Sequence, residues 1–114
     1  MYIYNAKLER VVDGDTVDAL VDLGFDTWKK IRIRLVGINT PESRTRDLEE
    51  KARGLAAKQF VIDMFKKHKN SFILQSQGVG KYGRCLGEIF FGDVKLNDLL
   101  ITEGHAVVYD GGKR

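Results

Sequence analysis

Four short segments of the sequence carry side chains that could do chemistry together. They are Asp13-Gly14-Asp15-Thr16, Arg34, Asn39-Thr40-Pro41-Glu42 and Lys81-Tyr82-Gly83-Arg84. They offer oxygen ligands for a hard cation, a carboxylate to handle a water molecule, and two guanidinium groups. Hydrolysis of a phosphodiester uses these parts, because it needs a metal, a positioned nucleophile and cations that stabilise charge on the phosphoryl oxygens. The set therefore indicates a nuclease.

The candidate metal ligands are Asp15, Asn39 and the main-chain carbonyl of Thr40. Calcium takes roughly six to eight oxygen ligands at about 2.3–2.6 Å, from carboxylates, amide and backbone carbonyls and water. Three protein oxygens would leave room for waters and a phosphate, as a catalytic site requires. The segment from Asp13 to Thr16 also has a simpler interpretation, as a hairpin turn that uses Asp and Gly for backbone reasons.

Arg34 and Arg84 are candidates for binding a phosphate. Arg34 lies on the polar face of its predicted strand, five residues before Asn39, and Arg84 opens a strand after a glycine-rich loop. Surface arginines beside turns are usually only solvated. Two that reached one phosphate would form a bidentate clamp that strengthens as charge builds in the transition state, and lysine could not copy that planar fork.

The composition is that of a small soluble domain. With 114 residues, 43% apolar and 31% charged, we expect a single domain over residues 1–114, since two cores would each be too small. The formal charge is only +3, so the placement of the basic residues is more informative than their sum. The basic residues that flank the four segments are Arg32, Arg34, Arg44, Arg46, Lys81 and Arg84.

Cys85 is the only cysteine, which excludes an intrachain disulfide and a zinc site built on several thiolates. In its strand-like surroundings we expect a buried structural thiol. No apolar stretch approaches the roughly 20 residues of a membrane span, and the sequence Met1–Lys7 lacks a signal-peptide pattern. We expect no membrane association, and a cytoplasmic location, or a secreted one if a leader has been removed.

Alternating hydrophobicity predicts three strands in the first third of the chain. They run from Ala6 to Val12, from Thr16 to Leu23 and from Trp28 to Val36, separated by turns at Asp13–Asp15 and Gly24–Thr27. In the third strand one face is apolar, and the other carries Lys30, Arg32 and Arg34.

The period then changes to that of a helix over Leu48–Lys67, with an apolar stripe formed by Ala52, Ala56, Ala57, Phe60, Val61, Met64 and Phe65. Beyond it we expect a fourth strand at Ser71–Ser76, a loop at Gln77–Gly83, a fifth strand at Arg84–Phe91 and a short helix at Leu96–Glu103. Residues 110–114 are expected to be a frayed tail. The order predicts a mostly β, α+β fold: a five-stranded closed barrel of the OB type, with a helix between strands 3 and 4 and a short C-terminal helix.

On these segments the chain resembles the staphylococcal nuclease (thermonuclease) family from about Lys7 to Tyr109. The resemblance rests on Val12–Val17, Ile33–Glu42 and Lys81–Arg84 in that order, with Leu96, Asn97, Leu100 and Gly104 falling where the family places its next helix. It implies an OB-type barrel that hydrolyses DNA and RNA with Ca²⁺ and leaves 3′-phosphate ends.

By position, the resemblance implies that Asp15, Asn39 and the Thr40 carbonyl hold the metal, with Asp13 behind them. Glu42 would orient or deprotonate the attacking water, and Arg34 and Arg84 would stabilise the phosphorane-like state. The residues expected to contact substrate are Lys81, Tyr82 and Tyr109. Because stacking on tyrosine needs an unpaired base, we expect single-stranded DNA or RNA to be preferred, and we expect a monomer.

The chain departs from the family at Asn39, where its best-known members carry aspartate. Asparagine still offers a carbonyl oxygen, but the site loses one negative charge, so calcium affinity should be lower. Near Tyr109 the spacing is one residue short of the family's. The competing hypothesis is a catalytically weak or inactive barrel that binds single-stranded nucleic acid or protein. Retention of Asp15, Arg34, Glu42 and Arg84 together favours the enzyme.

Overall fold

The computed structural model describes residues 2–79 and 84–109. The elements are β1 (Tyr2–Asp13), β2 (Thr16–Asp22), β3 (Trp28–Leu35), β4 (Ile38–Asn39), α1 (Leu48–Lys67), β5 (Ser71–Val79), β6 (Cys85–Phe91), β7 (Val94–Lys95), α2 (Leu96–Thr102) and β8 (Val107–Val108). The predictions for Lys81, for Tyr82 and for the tail 110–114 lie outside the described residues.

Five long strands form a closed barrel. Their order is β3-β2-β1-β5-β6, with antiparallel neighbours, and the barrel closes where β6 pairs in parallel with β3 at Ile33 opposite Cys85. The helix α1 connects the third and fourth of these strands. This confirms the predicted OB-type barrel with its two helices.

Two strands are longer than predicted, because each finds a partner where its alternation is weak. The first begins at Tyr2 rather than Ala6, since Tyr2–Lys7 pairs with Ser71–Ser76. The fourth continues to Val79, because Gly78 lies opposite Leu86 across a register shift. Gly78 takes a positive φ of 123°, which glycine adopts without steric cost. The loop predicted to start at Gln77 therefore starts later.

The helix α1 spans the predicted residues. Asp47 caps its N-terminus by accepting the N–H groups of Glu49 (3.0 Å) and Glu50 (3.2 Å), and Asn70 lies beyond its end with φ 62°. The predicted apolar stripe was partly wrong: Ala52 and Ala56 are exposed. The buried face consists of Gly54, Ala57, Val61 and Phe65. The two small residues of this face, Gly54 and Ala57, allow the helix to approach the barrel closely.

The core lies inside the barrel and under α1. Phe65 makes edge-on contacts with Phe72 and Phe91, at ring-centroid distances of 5.3 and 5.0 Å. Cys85 is buried among these apolar side chains, as expected for a structural thiol. Over residues 2–79 and 84–109, neither helix has the length and apolarity needed to cross a membrane.

Asn97 fastens the short helix α2 to the barrel. Its side-chain oxygen accepts the N–H of Ile89 at 3.2 Å. Its amide group donates to the carbonyls of Val36 at 2.9 Å and Gly87 at 3.3 Å. One side chain, 2% exposed, thus links α2, β6 and the end of β3, where the chain continues to Asn39.

Candidate active site

The predicted site residues that the structure describes converge on one polar cleft of about 370 Å³. It is lined by Val12, Asp13, Asp15, Thr16, Arg32, Arg34, Asn39, Thr40, Glu42, Arg44, Arg84 and Tyr109. All eight predicted residues with described positions are among them. They come from the end of β1 and the β1–β2 turn, from β3, from β4 and the residues after it, from the residue before β6 and from the residue after β8. The closed barrel brings these distant segments together.

Asp15 connects the β1–β2 turn to the loop that starts at Asn39. One carboxylate oxygen accepts the hydroxyl of Thr16 at 3.0 Å, and the other accepts the N–H of Thr40 at 3.1 Å. The residue is only 8% exposed. The turn is a hairpin, with Asp13 opposite Thr16, and its buried carboxylate also reaches another loop. A hairpin turn and a functional carboxylate therefore coexist in this segment.

Gly14 is needed for close packing. A Cβ atom at this position would lie 2.9 Å from the Cβ of Ala57 and 3.1 Å from two side-chain atoms of Thr40. Any larger residue would push the turn away from α1 and from the loop that carries the candidate ligands. The glycine thus sets the distance between Asp15 and Thr40.

Arg34 lies between two of the candidate ligand oxygens. Its Nη2 is 3.5 Å from the carboxylate of Asp15 and donates to the side-chain oxygen of Asn39 at 3.3 Å. The guanidinium also donates to the carbonyls of Leu35 at 2.5 Å and Ile38 at 2.9 Å, and its side chain is 13% exposed. Because one cationic nitrogen reaches both oxygens, the two ligands converge on a position that suits a positive charge.

The donor set fits a hard cation. It comprises one carboxylate, one amide oxygen and one main-chain carbonyl, on Asp15, Asn39 and Thr40, and oxygen donors of these kinds are calcium ligands. The Thr40 hydroxyl is buried and has no hydrogen-bond partner in the described part of the chain. Residues 2–79 and 84–109 hold no group of three His, Cys, Asp or Glu side chains suited to a metal.

Glu42 is exposed at the cleft, and its backbone is held from three sides. Its N–H donates to the carboxylate of Glu50 on α1 at 3.1 Å. The buried hydroxyl of Ser43 donates to the carboxylate of Asp13. Gly54 faces the backbone of this loop so closely that a Cβ atom there would lie 2.3 Å from the carbonyl oxygen of Glu42. These contacts fix the position of the Glu42 backbone, and so the point from which its side chain extends.

Sequence reasoning missed Ser43, Glu50 and Gly54 as supports of the cleft. Only Gly54 carried a visible signal, because glycine inside a helical pattern costs about 1 kcal/mol relative to alanine and usually has a packing reason. Ser43 and Glu50 act through hydrogen bonds across 30 and 8 residues of sequence, which no local pattern reveals.

Arg32, at the edge of the cleft, is anchored by Asp18. Its Nε and Nη2 donate to the two carboxylate oxygens of Asp18 at 2.8 and 3.1 Å, and Arg10 donates to the same carboxylate at 3.1 Å. The hydrogen bond from Arg32 is the main reason that the pKa of Asp18 falls below its usual 3.8, although burial opposes the shift. Asp18 lies directly opposite Arg32 in the β2–β3 pair, so strand register could have revealed this anchor.

Arg84 and Tyr109 complete the cleft from the C-terminal half of the chain. Both are half-buried. The N–H of Tyr109 donates to the carbonyl of Gly37 at 2.9 Å, which fixes the end of the described chain beside the loop before Asn39. The unusual spacing near Tyr109 therefore still brings this residue to the cleft.

The barrel and the cleft define a small OB-type domain whose arginines and oxygen donors suit an anionic ligand with a cation. Residues 32–114 match the family described as "Staphylococcal nuclease homologue", so the chain belongs to this family and forms a nuclease-like domain. The matched segment contains Arg34, Asn39, Glu42 and Arg84. Asp15 precedes it.

Curated relatives are similar over most of this chain. "Protein ParB" of Escherichia coli is 35% identical over 85 residues, 74% of this chain and 40% of its own length. A "Thermonuclease" of Staphylococcus intermedius is 32% identical over 99 residues, 87% of this chain and 56% of its own length. An "Uncharacterized endonuclease" of Escherichia coli O157:H7 is 29% identical over 111 residues, 93% of this chain and 61% of its own length. The chain thus spans about half the length of the relatives it matches.

Proposed function

We propose that this domain is a calcium-dependent, sugar-nonspecific nuclease that hydrolyses DNA and RNA and leaves 3′-phosphate ends. The observation that carries the proposal is the cleft itself. Asp15, Arg34, Asn39, Glu42 and Arg84 come from three separate segments of the sequence, yet all five line one polar space of about 370 Å³. Family membership and similarity to a thermonuclease and to an uncharacterized endonuclease support the same chemistry.

The cation would be held by Asp15, Asn39 and the Thr40 carbonyl, and when bound it would supply Lewis-acid stabilisation of a phosphoryl oxygen. Glu42 would position a water molecule and accept its proton as the water oxygen attacks phosphorus. The bond from phosphorus to the 5′ oxygen breaks, and that oxygen leaves with a proton from solvent. The phosphate remains on the 3′ oxygen of the other fragment.

The arginines would act on the phosphoryl oxygens. Arg84 lines the cleft and can stabilise the charge that builds in the transition state. Arg34 would have a double task, because its Nη2 already contacts Asn39 and lies 3.5 Å from Asp15. Arg34 would hold the loop that begins at Asn39 close to Asp15. With the metal site filled, its guanidinium would donate to the phosphate of the substrate instead.

The test is a cleavage assay with single-stranded DNA and with RNA of the same sequence, in calcium, in magnesium and in chelator. We expect cleavage of both in calcium, none in chelator and little in magnesium, which requires tight octahedral geometry and loses water reluctantly. Products should need phosphatase treatment before terminal transferase can extend them. Full cleavage in chelator, or products that extend directly, would contradict the proposal.

Variants test the assigned roles. Arg84→Ala and Arg84→Lys should lower turnover by roughly 10²–10³-fold, because a preorganised transition-state donor is lost. Glu42→Gln should behave similarly. Arg46→Ala is the matched control, because Arg46 is exposed in the same region and does not line the cleft. It should cleave at the wild-type rate. Equal loss in Arg46→Ala, or wild-type turnover in Arg84→Lys, would remove Arg84 from the mechanism.

The alternative is a barrel that binds single-stranded nucleic acid without cutting it. Asn39 favours it, because an amide in place of a carboxylate leaves one less negative charge facing the cation. Tight binding of single strands with no cleavage at saturating calcium would establish this alternative. Cleavage that needs only more calcium than usual would support the enzyme.

A further inference from the structure

A second groove, of about 450 Å³, lies beside the cleft. The residues of its lining that matter here are Tyr2, Tyr4, Lys29, Lys30, Arg32 and Leu74. Arg32 also lines the cleft, so the two spaces are neighbours. None of the residues that line this groove within the described ranges is acidic. A ligand that crosses the cleft could continue into this groove.

Two tyrosines form an aromatic platform at the groove. Their rings are stacked, with centroids 6.4 Å apart and 28° between the planes. Tyr2 is 70% exposed and Tyr4 is half-buried. Strand alternation places both rings on the side of β1 that also carries buried Ala6, but β2 pairs with β1 only from Ala6 onwards. The rings therefore extend past the end of the neighbouring strand, and the ring of Tyr2 is left exposed.

Three cations line the same groove as this platform. Lys30 lies 3.9 Å from Glu9, and its side chain is 66% exposed. Arg32 is bound to Asp18 through Nε and Nη2, and its side chain is 45% exposed. The exposed pair of Lys30 with Glu9 is weak, so Lys30 can also contact a phosphate. Arg32 has five N–H donors and Asp18 accepts from two of its nitrogens, so Arg32 can contact a phosphate while it stays bound to Asp18. Lys29 is the third cation of the lining.

The strand β3 links the groove to the cleft. Lys30, Arg32 and Arg34 alternate along it and so share one face, and Arg34 lies at the candidate ligands. Four residues of strand rise about 13 Å, which is the length of up to about four nucleotides at 3.4 Å each. The cations therefore follow a line that a short single strand could follow.

We propose that this groove is a binding subsite for single-stranded nucleic acid, which stacks a base on Tyr2 and Tyr4 and places phosphates on Lys29, Lys30 and Arg32. The chemical class of this ligand rests on the proposed function. An exposed tyrosine ring beside three cations, in a groove whose described lining includes no acidic residue, matches a chain of bases and phosphates. The subsite would bind nucleotides several positions away from the bond that is cut, and so would favour longer substrates.

The test measures binding by fluorescence anisotropy in chelator, so that no cleavage occurs. A dinucleotide and a single strand of about ten nucleotides are compared, since an OB barrel covers roughly 4–16 nucleotides. Tyr2→Leu removes the ring and keeps apolar bulk, and Tyr2→Phe keeps the ring. We expect Tyr2→Leu to weaken the longer strand by roughly 5- to 150-fold, the effect of one lost stacking contact, and to leave the dinucleotide unchanged.

Two controls keep the result specific. Phe25→Ala removes a fully exposed ring that lines neither space. A double variant, Lys29→Ala/Lys30→Ala, removes two cations of the groove. Its matched control is Lys66→Ala/Lys67→Ala, which removes two exposed lysines of α1 that do not line the groove. Tyr2→Phe and both control variants should bind like the wild type. Equal losses at both lengths, or no loss in Tyr2→Leu, would overturn the proposal.

Two further outcomes distinguish a strand-binding groove from a self-association surface and from the nuclease itself. A wild type that binds the long strand through Tyr2 but never cleaves it would refute the nuclease and support the subsite. A dimer that Tyr2→Leu abolishes without change in strand affinity would assign the groove to a second copy of the chain, and would overturn the subsite.

Discussion

Replacing Gly54 with alanine should destabilise the protein, although the same change usually stabilises a helix. Alanine in a helix interior is favoured over glycine by about 0.8–1.0 kcal/mol. At Gly54, however, the new Cβ would lie 2.3 and 2.4 Å from the carbonyl oxygen and carbon of Glu42, and 2.6 Å from the nitrogen of Ser43. All three are backbone atoms, so no side-chain rotation can relieve the overlap.

The expected magnitude follows from these opposing terms. Overpacking a tight contact costs about 1–3 kcal/mol, and an overlap with backbone belongs at the upper end. After the helix propensity is subtracted, the free energy of unfolding should fall by about 1–2 kcal/mol. For a domain of this length that is a decrease in Tm of about 4–8 °C. Because the displaced atoms belong to Glu42, turnover should fall as well.

Urea denaturation and thermal melting of Gly54→Ala measure this effect. Ala56→Gly is the matched control, since Ala56 is exposed two residues along the same helix and should lose only the propensity of about 1 kcal/mol. If Gly54→Ala instead gains the amount that Ala56→Gly loses, then α1 does not approach the Glu42 loop closely, and the support assigned to Gly54 is wrong.

Three other predictions concern charge. Asn39→Asp should tighten calcium binding by about one to two orders of magnitude, because it adds a charge to the ligand set. Calorimetric titration of the wild type and the variant, with a nucleotide inhibitor present, checks this. Equal calcium affinities of the two proteins would mean that the metal site is misplaced. Asp18→Asn should lower the free energy of unfolding by more at about pH 7 than at about pH 2. A carboxyl whose folded pKa is lowered below 3.8 stabilises the protein above its unfolded pKa, and this stabilisation is lost as the pH falls through the folded pKa. Denaturant titrations at both pH values check the difference, and an equal loss at both would contradict it. Affinity for single strands should fall with salt at a log–log slope of about −0.7 per phosphate contact. Arg44→Ala should reduce that slope by about one such contact in anisotropy titrations, and an unchanged slope would exclude Arg44 from phosphate binding.

Much of the barrel and of the cleft could be predicted, because the signals are local. Alternation in β3 separates buried Ile33 and Leu35 from the more exposed Arg32 and Arg34, and the helical period of α1 gave its bounds. The turn at Asp15 and the loop at Asn39 follow predicted strands, so their convergence could be anticipated. The start of β1 could not be predicted, because Tyr2-Ile3-Tyr4 is apolar throughout and shows no alternation.

What remained hidden depends on contacts between distant residues. Gly78 lies in the segment Gln77–Gly83 that was predicted as a loop, and only its partner Leu86 shows that the strand continues. The hydrogen bond from Ser43 to Asp13 depends on the path of a loop without periodicity. Ala56 was predicted on the buried face of α1, but Gly54 lies there instead. The reason is the close approach of the helix to the backbone of Glu42, which leaves no space for a Cβ atom.

The hydrogen bonds of Asn97 bear on how the loop that leads from Val36 to Asn39 opens in solution. If α2 detached, the N–H of Ile89 and the carbonyl of Val36 would each lose a buried partner, at a cost of about 1–3 kcal/mol per group. Local fraying between Val36 and Asn39 is thereby coupled to α2 and β6, and the three segments form one cooperative unit. Native-state hydrogen exchange should give their amides a shared opening free energy close to that of global unfolding. A ligand arriving at Asn39 then meets a loop that is already ordered, and its affinity is not reduced by the entropy of ordering that loop.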